Sequence, residues 1–273
     1  MRNQRAVSAV AAVLLSLFVF FSFFPVLIML LTSVKSRLEI SLGIFRLPTD
    51  IRWDNYGRAF RKVIPYTGNS LLIAVAVVVG VLIVSSLAAY SLARYRFPGR
   101  EPIYYSIIAL MMVPTVLVLI PMFKMVAALH LLNSYWVVIL PQVAGGCVMA
   151  VFLLRSFFAG LPEELFESFR IDGAREGTVL RSLVLPLSKP ILGTVAVLNF
   201  NTSWNDYIWP MVTINKESLK PIVTGIMSFT NDYSSDYGPM MAAYVLASLP
   251  LMLVIGFSMR YFVDGLTSGA VKA

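Results

Sequence analysis

The segment Gly160–Pro190, GLPEELFESFRIDGAREGTVLRSLVLPLSKP, lies between two strongly apolar runs and carries eight charged side chains between Glu163 and Arg181. Each such charge costs about 2.5–3.5 kcal/mol at a bilayer centre, so the segment lies outside one. Pro162 suits a first helical turn, Glu163, Glu164 and Glu167 favour the positive end of a helix, and Gly173 suits a left-handed stop. These signals predict a short helix from Pro162 to about Asp172, with Leu165 and Phe169 on one face at four-residue spacing. Beyond the glycine, Leu180, Leu183, Val184 and Leu187 make a second apolar stripe. The expectation is two short helices joined by a glycine turn, with apolar faces that need a partner.

The flanks are apolar enough to live in lipid. Of 273 residues, 58% are hydrophobic and 13% charged, whereas soluble domains carry about 25% charged residues. An integral membrane protein follows. Six runs are long enough to cross a core of about 30 Å at about 1.5 Å per residue: near Ala6–Thr32, Ser70–Ala93, Ile103–Val126, Tyr135–Phe158, Leu187–Val212 and Met240–Val263. Their length, without two-residue alternation, predicts helices rather than a barrel. The first run follows Arg2 and Arg5, but its apolar core is long and no small-x-small cleavage site follows, so a retained signal anchor is expected. The fold class is an all-α integral membrane protein with six transmembrane helices. Residues 1–66 form a first helix and external loop, 67–264 a five-helix core containing the 160–190 segment, and 265–273 a C-terminal tail.

Six spans place both termini and the charged segment on one side. If that side is the cytoplasm, it holds twelve Lys and Arg residues and the other side ten, of which seven crowd the loop from Lys35 to Lys62. With that long loop set aside, only Lys124, Lys216 and Lys220 remain outside, and the positive-inside rule supports the assignment. The net charge of +8 is therefore mainly an orientation signal. Basic residues are scattered over several loops without a stripe, so nucleic-acid binding is not expected.

Chemistry-bearing motifs are sparse. No G-x-x-x-x-G-K-[ST] phosphate loop occurs, so energy must come from a partner or a gradient. The only histidine, His130, and the only cysteine, Cys147, form no ligand cluster, and no metal site is expected. Twelve of the fourteen acids read as loop residues, and Asp206 and Asp264 as lying near span ends. A pathway without ionisable groups at its centre disfavours a proton-driven carrier and suits a neutral, hydroxyl-rich solute. Asn199 lies about 18 Å along the fifth run, close to the midplane, with Asn201, Trp204 and Asn205 above it and Gln142 at comparable depth in the fourth. These amides can bind solute hydroxyls or bond neighbouring helices, and both readings stay open. Trp204 reads first as interfacial belt and second as a stacking surface.

Glu167-Ser168-Phe169, three residues, Gly173, nine residues, then Leu183-Val184-Leu185-Pro186 resembles the E-A-A-x3-G-x9-I-x-L-P loop of ATP-binding-cassette importer permeases. Ser168 and Phe169 replace the two alanines and Leu183 the isoleucine. The resemblance extends over roughly residues 24–273. NFNTSWNDYIWPMV, Asn199–Val212, is similar to the W-N-D-F-x-x-P region of maltose-type carbohydrate importers, and RYFVDGLTSGAVKA, Arg260–Ala273, resembles the terminus of one of their two paired permeases. Trp53-Asp54-Asn55-Tyr56 resembles a W-x-N-Y element before the second span.

The resemblance implies a type I importer permease in a bacterial or archaeal plasma membrane, both termini cytoplasmic. It implies a second permease, two ATPase subunits that bind ATP and Mg, an extracytoplasmic solute-binding protein and a sugar cargo. This chain itself binds no cofactor. Coupling to the ATPase falls to Glu167, Ser168, Phe169, Asp172, Gly173, Ala174, Leu183, Leu185 and Pro186, and tail contacts to Gly265, Thr267, Ser268, Gly269 and Lys272. A permease for a non-sugar solute, a gradient-driven carrier and a membrane enzyme are the rivals, the last lacking any reactive constellation.

Overall fold

A computed structural model describes the backbone over residues 2–232 and 236–270, and the side chains of residues 8, 10–227 and 236–257. Every element assigned among them is helical. Four helices are long and apolar enough to cross a membrane, or six when two sharply bent helix pairs each count as one span. The chain divides into two compact units, Met1–Pro65 with Gly225–Leu249, and Tyr66–Thr224 with Pro250–Ala273.

In the first unit, α1 (Arg2–Ser33) is apolar and displays Phe18, Phe21 and Phe23 outward. A capping box opens α2 (Arg37–Leu42): the Ser36 hydroxyl accepts from the Glu39 amide while the Glu39 carboxylate accepts from the Ser36 amide at 3.0 Å. The second oxygen of Glu39 takes the Thr49 amide at 2.8 Å and the Thr49 hydroxyl at 2.6 Å, holding that carboxyl down at about 2. Lys35, fully buried, donates to the Ile44 carbonyl at 2.6 Å.

The next helix, α3 (Asp54–Arg94), has 41 residues, about 60 Å of helix. It starts well before the run expected at Ser70. Its first turns carry Asp54 and Arg58 as an i,i+4 pair, and Asn55 donates to the Ser33 and Lys35 carbonyls, so this polar stretch is helical without being apolar. Gly225–Leu249 also belongs to the first unit, where Arg58 reaches Asp236 at 3.1 Å and Gly238 packs on Asn55 and Lys35.

In the second unit, α4 (Arg100–Ala109), a 3-10 turn at Leu110–Met112 and α5 (Thr115–Ala128) replace one straight span, and the two halves meet at 103°. Pro114 forces Val113 into extended backbone and ends the first half. A 24-residue span follows, α6 (Trp136–Ala159), and then α7 (Glu163–Ile171). The stretch Glu176–Leu187, made of α8 (Glu176–Val179), a π-helical turn at Leu180–Val184 and α9 (Leu185–Leu187), runs at 79° to α10 (Lys189–Trp204) with only Ser188 between them. Pro190, lacking an N–H, cannot donate back to the Pro186 carbonyl, which frees that bend.

The fifth run is also broken at its far end, between α10 and α11 (Ile208–Thr213). The Pro210 ring excludes a helical carbonyl at Asp206, so no helix spans 187–212 unbroken. A continuous core, including Val81, Leu154, Phe158, Phe166, Val184 and Val195, joins these elements. The chain then passes through α12 (Ile222–Asp232) into α13 (Tyr237–Ala270).

Candidate functional site

Two arrangements in the second unit carry functional meaning, one charged and one concave. In the charged segment, Pro162 takes the N-cap position of α7, and Gly173 has φ +72°, the left-handed conformation its position predicts. The Ala174 amide closes the turn on the Phe169 carbonyl at 3.0 Å. The buried face of α7 centres on Phe166, with Phe169 half-buried, while Leu165 lies at the exposed rim. This corrects the expected Leu165–Phe169 stripe: Phe166 is the anchor, packed into the core and covered by Arg94.

Arg94, the last residue of α3, holds its guanidinium 3.7 Å above the Phe166 ring centre. The same fork donates to the Phe158 and Leu161 carbonyls at 2.7 and 2.8 Å and to Glu163 at 2.8 Å. One side chain therefore satisfies carbonyls at the end of α6 and pins the first turn of α7. Nothing local to Arg94 in the sequence marks this role, which depends on partners 64 to 72 positions away.

Glu167, Ser168, Asp172 and Gly173 are exposed, and Ile171 shows 86% of its surface beside them. Across the glycine, Val179, Leu183 and Val184 are buried, Leu185 is half-buried and Pro186 exposed. Leu187, expected in the buried stripe, is 45% exposed: the π-helical turn widens the helix there, and the stripe drifts off the face. Tyr90 in α3 donates to Glu176 at 2.6 Å, a second tie between the segment and the spans. Gly265, Thr267, Ser268 and Gly269 fall within α13, which is helical to Ala270; their side chains, and all of Lys272, lie outside the described residues.

The concave site is a cavity of about 720 Å³ among α5, α6, α10 and α11. Gln142, Asn199 and Asn205 line it, as do Thr202, Ser203 and Asp206. Asn201 and Trp204 do not: Asn201 accepts from Asn205 at 3.1 Å, and Trp204 is buried in a stack on Phe200 with centroids 5.5 Å apart. Asn199 donates to the Val195 carbonyl within its own helix, and its oxygen faces Gly146, where an added Cβ would lie 2.1 Å away.

Asp206 lies near a span end as expected, two residues beyond the last residue of α10, and it also lines the cavity. The break before Pro210 turns it into the cavity wall, where Oδ2 accepts from Gln142 at 2.7 Å and Oδ1 from the Trp209 amide at 3.4 Å. Gln142 in turn accepts from the Ser203 hydroxyl at 2.6 Å. Among the described residues no group of His, Cys, Asp and Glu is placed to hold a metal, and His130 is an exposed residue at φ +54°.

Comparison with known proteins supplies the context. Residues 81–268 match the family described as binding-protein-dependent transport system inner membrane component. The arabinooligosaccharides transport system permease AraQ of Bacillus subtilis is 34% identical over 91% of this chain and 90% of its own. The diacetylchitobiose uptake system permease NgcG of Streptomyces coelicolor is 32% identical over 99% and 91%. The sn-glycerol-3-phosphate permease UgpE of Pectobacterium atrosepticum is 38% identical over 72% and 70%. A chain in the crystal structure of a bacterial ABC transporter involved in the import of the acidic polysaccharide alginate superposes with a TM-score of 0.81 at 25% identity, covering 96% of this chain and 98% of that one.

Proposed function

The chain belongs to the binding-protein-dependent transport system inner membrane component family, and from that membership we infer that it is the permease subunit of an ATP-driven carbohydrate importer. The observation that carries the reading is that the family match covers both the exposed helix–glycine–helix segment and all of the cavity lining but Val77, joined by a single bent stretch of chain. Saccharide uptake by two relatives supports the cargo class.

In this reading the chain crosses a bacterial or archaeal plasma membrane with both termini in the cytoplasm. A second permease completes the path, and a binding protein delivers solute to the outer face. Each of two ATPase subunits, holding ATP and Mg, engages one permease; here α7 docks through Ile171, Leu165 and the exposed Glu167–Gly173 surface. Closure of the ATPases moves α7; the Arg94 fork carries that motion to α3 and α6, and the Glu176–Leu187 stretch carries it to α10, which lines the cavity. Residues 265–273 reach the ATPases as a tail. The chain has no phosphate loop of its own, so hydrolysis belongs to the partners.

Reconstitution of the assembled importer in vesicles tests this. ATP inside the vesicles should drive uptake of a neutral oligosaccharide presented by the binding protein. Uptake driven by an ion gradient without ATP would overturn it. Deleting residues 267–273 should lower solute-stimulated ATPase activity; unchanged stimulation would remove the tail from the coupling path.

A further inference from the structure

We propose that Asp206 makes the cavity a charge filter, admitting neutral or cationic polyhydroxylated solutes and disfavouring anionic ones. The proposal rests on reading that cavity as part of the solute path. Among the described residues Asp206 is the only charged side chain lining it, and no lysine or arginine among them shares the wall. Both of its oxygens accept hydrogen bonds from N–H groups, Gln142 and Trp209, an arrangement that matches the acceptor-only chemistry of a carboxylate.

The Gln142 amide that holds the carboxylate is itself oriented by Ser203, which fixes the negative charge toward the lumen rather than leaving it to swing away. At an effective dielectric of about 20, two unit charges about 5 Å apart interact strongly enough to change occupancy more than a hundredfold. A neutral solute escapes that penalty and gains a strong acceptor, since hydrogen bonds from hydroxyls to an ionised carboxylate exceed those between neutral groups. The proteins this chain resembles include systems for arabinooligosaccharides, for sn-glycerol 3-phosphate and for the acidic polysaccharide alginate, so the cargo's charge is not set by the family.

The charge is readable without knowing the natural cargo. Thr202, four residues before Asp206 on the same wall, is changed to cysteine in a Cys147→Ser background of the complete importer in proteoliposomes. Cationic and anionic methanethiosulfonates of similar size then compete for it. Any effect of Asp206 on thiolate formation acts equally on both reagents and cancels in the ratio of their rates.

With Asp206 present, the cationic-to-anionic ratio should exceed that of a small free thiol, and Asp206→Asn should lower it at least tenfold. Asparagine preserves size and the acceptor for the Trp209 amide, so a purely structural role for Asp206 would leave the ratio unmoved. Equal ratios in the two proteins, or a cysteine that neither reagent reaches, would overturn the filter while leaving ATP-driven uptake, and so the permease reading, intact. If the asparagine variant fails to assemble, the Asp206 protein decides alone: a ratio equal to that of the free thiol overturns the proposal. Loss of ATP-driven uptake in the unlabelled assembly would instead count against the permease reading.

Discussion

The guanidinium carbon of Arg94 stands 3.7 Å from the centre of the Phe166 ring, and its nitrogens close on carbonyls of Phe158 and Leu161. Arg94→Ala removes the stack and leaves both carbonyls without this donor, destabilising the junction of α3, α6 and α7 by about 2–4 kcal/mol. Arg94→Lys keeps the charge but loses the planar fork, and should recover less than half of that. Thermal unfolding of the assembled importer measures the loss, and transported solute per ATP hydrolysed should fall with it. Wild-type coupling in Arg94→Ala would remove this residue from the transmission path.

Gly173 offers open space for a side chain, so its constraint is backbone alone. Substitution should therefore rank by tolerance of positive φ, with Gly173→Asn mildest, Gly173→Ala costing about 1 kcal/mol, and Gly173→Val or Gly173→Leu most. Solute-stimulated ATPase activity should follow the same order while membrane insertion stays constant. Full stimulation in the valine variant would contradict the coupling role.

A Cβ at Gly146 would meet the Asn199 side-chain oxygen at 2.1 Å and the Val81 methyl at 2.8 Å. Gly146→Ala should cost about 1–3 kcal/mol by overpacking and slow uptake. Adding Asn199→Ala removes the nearer obstacle, so the double variant should be more stable than Gly146→Ala alone. A double-mutant cycle reads the coupling; additive losses would mean that the contact is not made.

Glu39 gives a pH-dependent test. Its folded pKa of about 2 lies below the ordinary 4.5, because Thr49 and Ser36 donate to the carboxylate. A depressed carboxyl contributes stability that is complete above the ordinary value and is lost as pH falls through the folded one. The gap in melting temperature between the native protein and Glu39→Gln should be constant above about pH 5 and close toward pH 2. A gap independent of acidity over that window would refute the loop geometry.

Periodicity and local chemistry carried much of this structure. Pro162, the early glutamates and Gly173 specify α7 and its stop by effects within a turn or two of chain, so they are legible without tertiary knowledge. Phe166 is not legible locally, because the core that buries it and the Arg94 that stacks on it, 72 positions away, come together only in the fold. The extended start of α3 was missed because hydropathy finds what lies in lipid, and Asp54–Lys62 is helical yet polar. Asp206 reads from the sequence as a span-end residue, and α10 does end at Trp204. Pro210 signals that the span ends early, but only the fold shows that the freed carboxylate turns toward Gln142.

The bend at Ser188 leaves no linker between Glu176–Leu187 and α10, and this sets a rotational phase. Each residue added to or removed from an α-helix swings everything beyond it by about 100°. A one-residue change between 189 and 198 would therefore turn Asn199 and Thr202 away from the cavity and bring lipid-facing side chains into it, without altering hydropathy at all. Chimaeras that exchange motor-facing and solute-facing halves between permeases should keep 176–206 as one block and be spliced outside it.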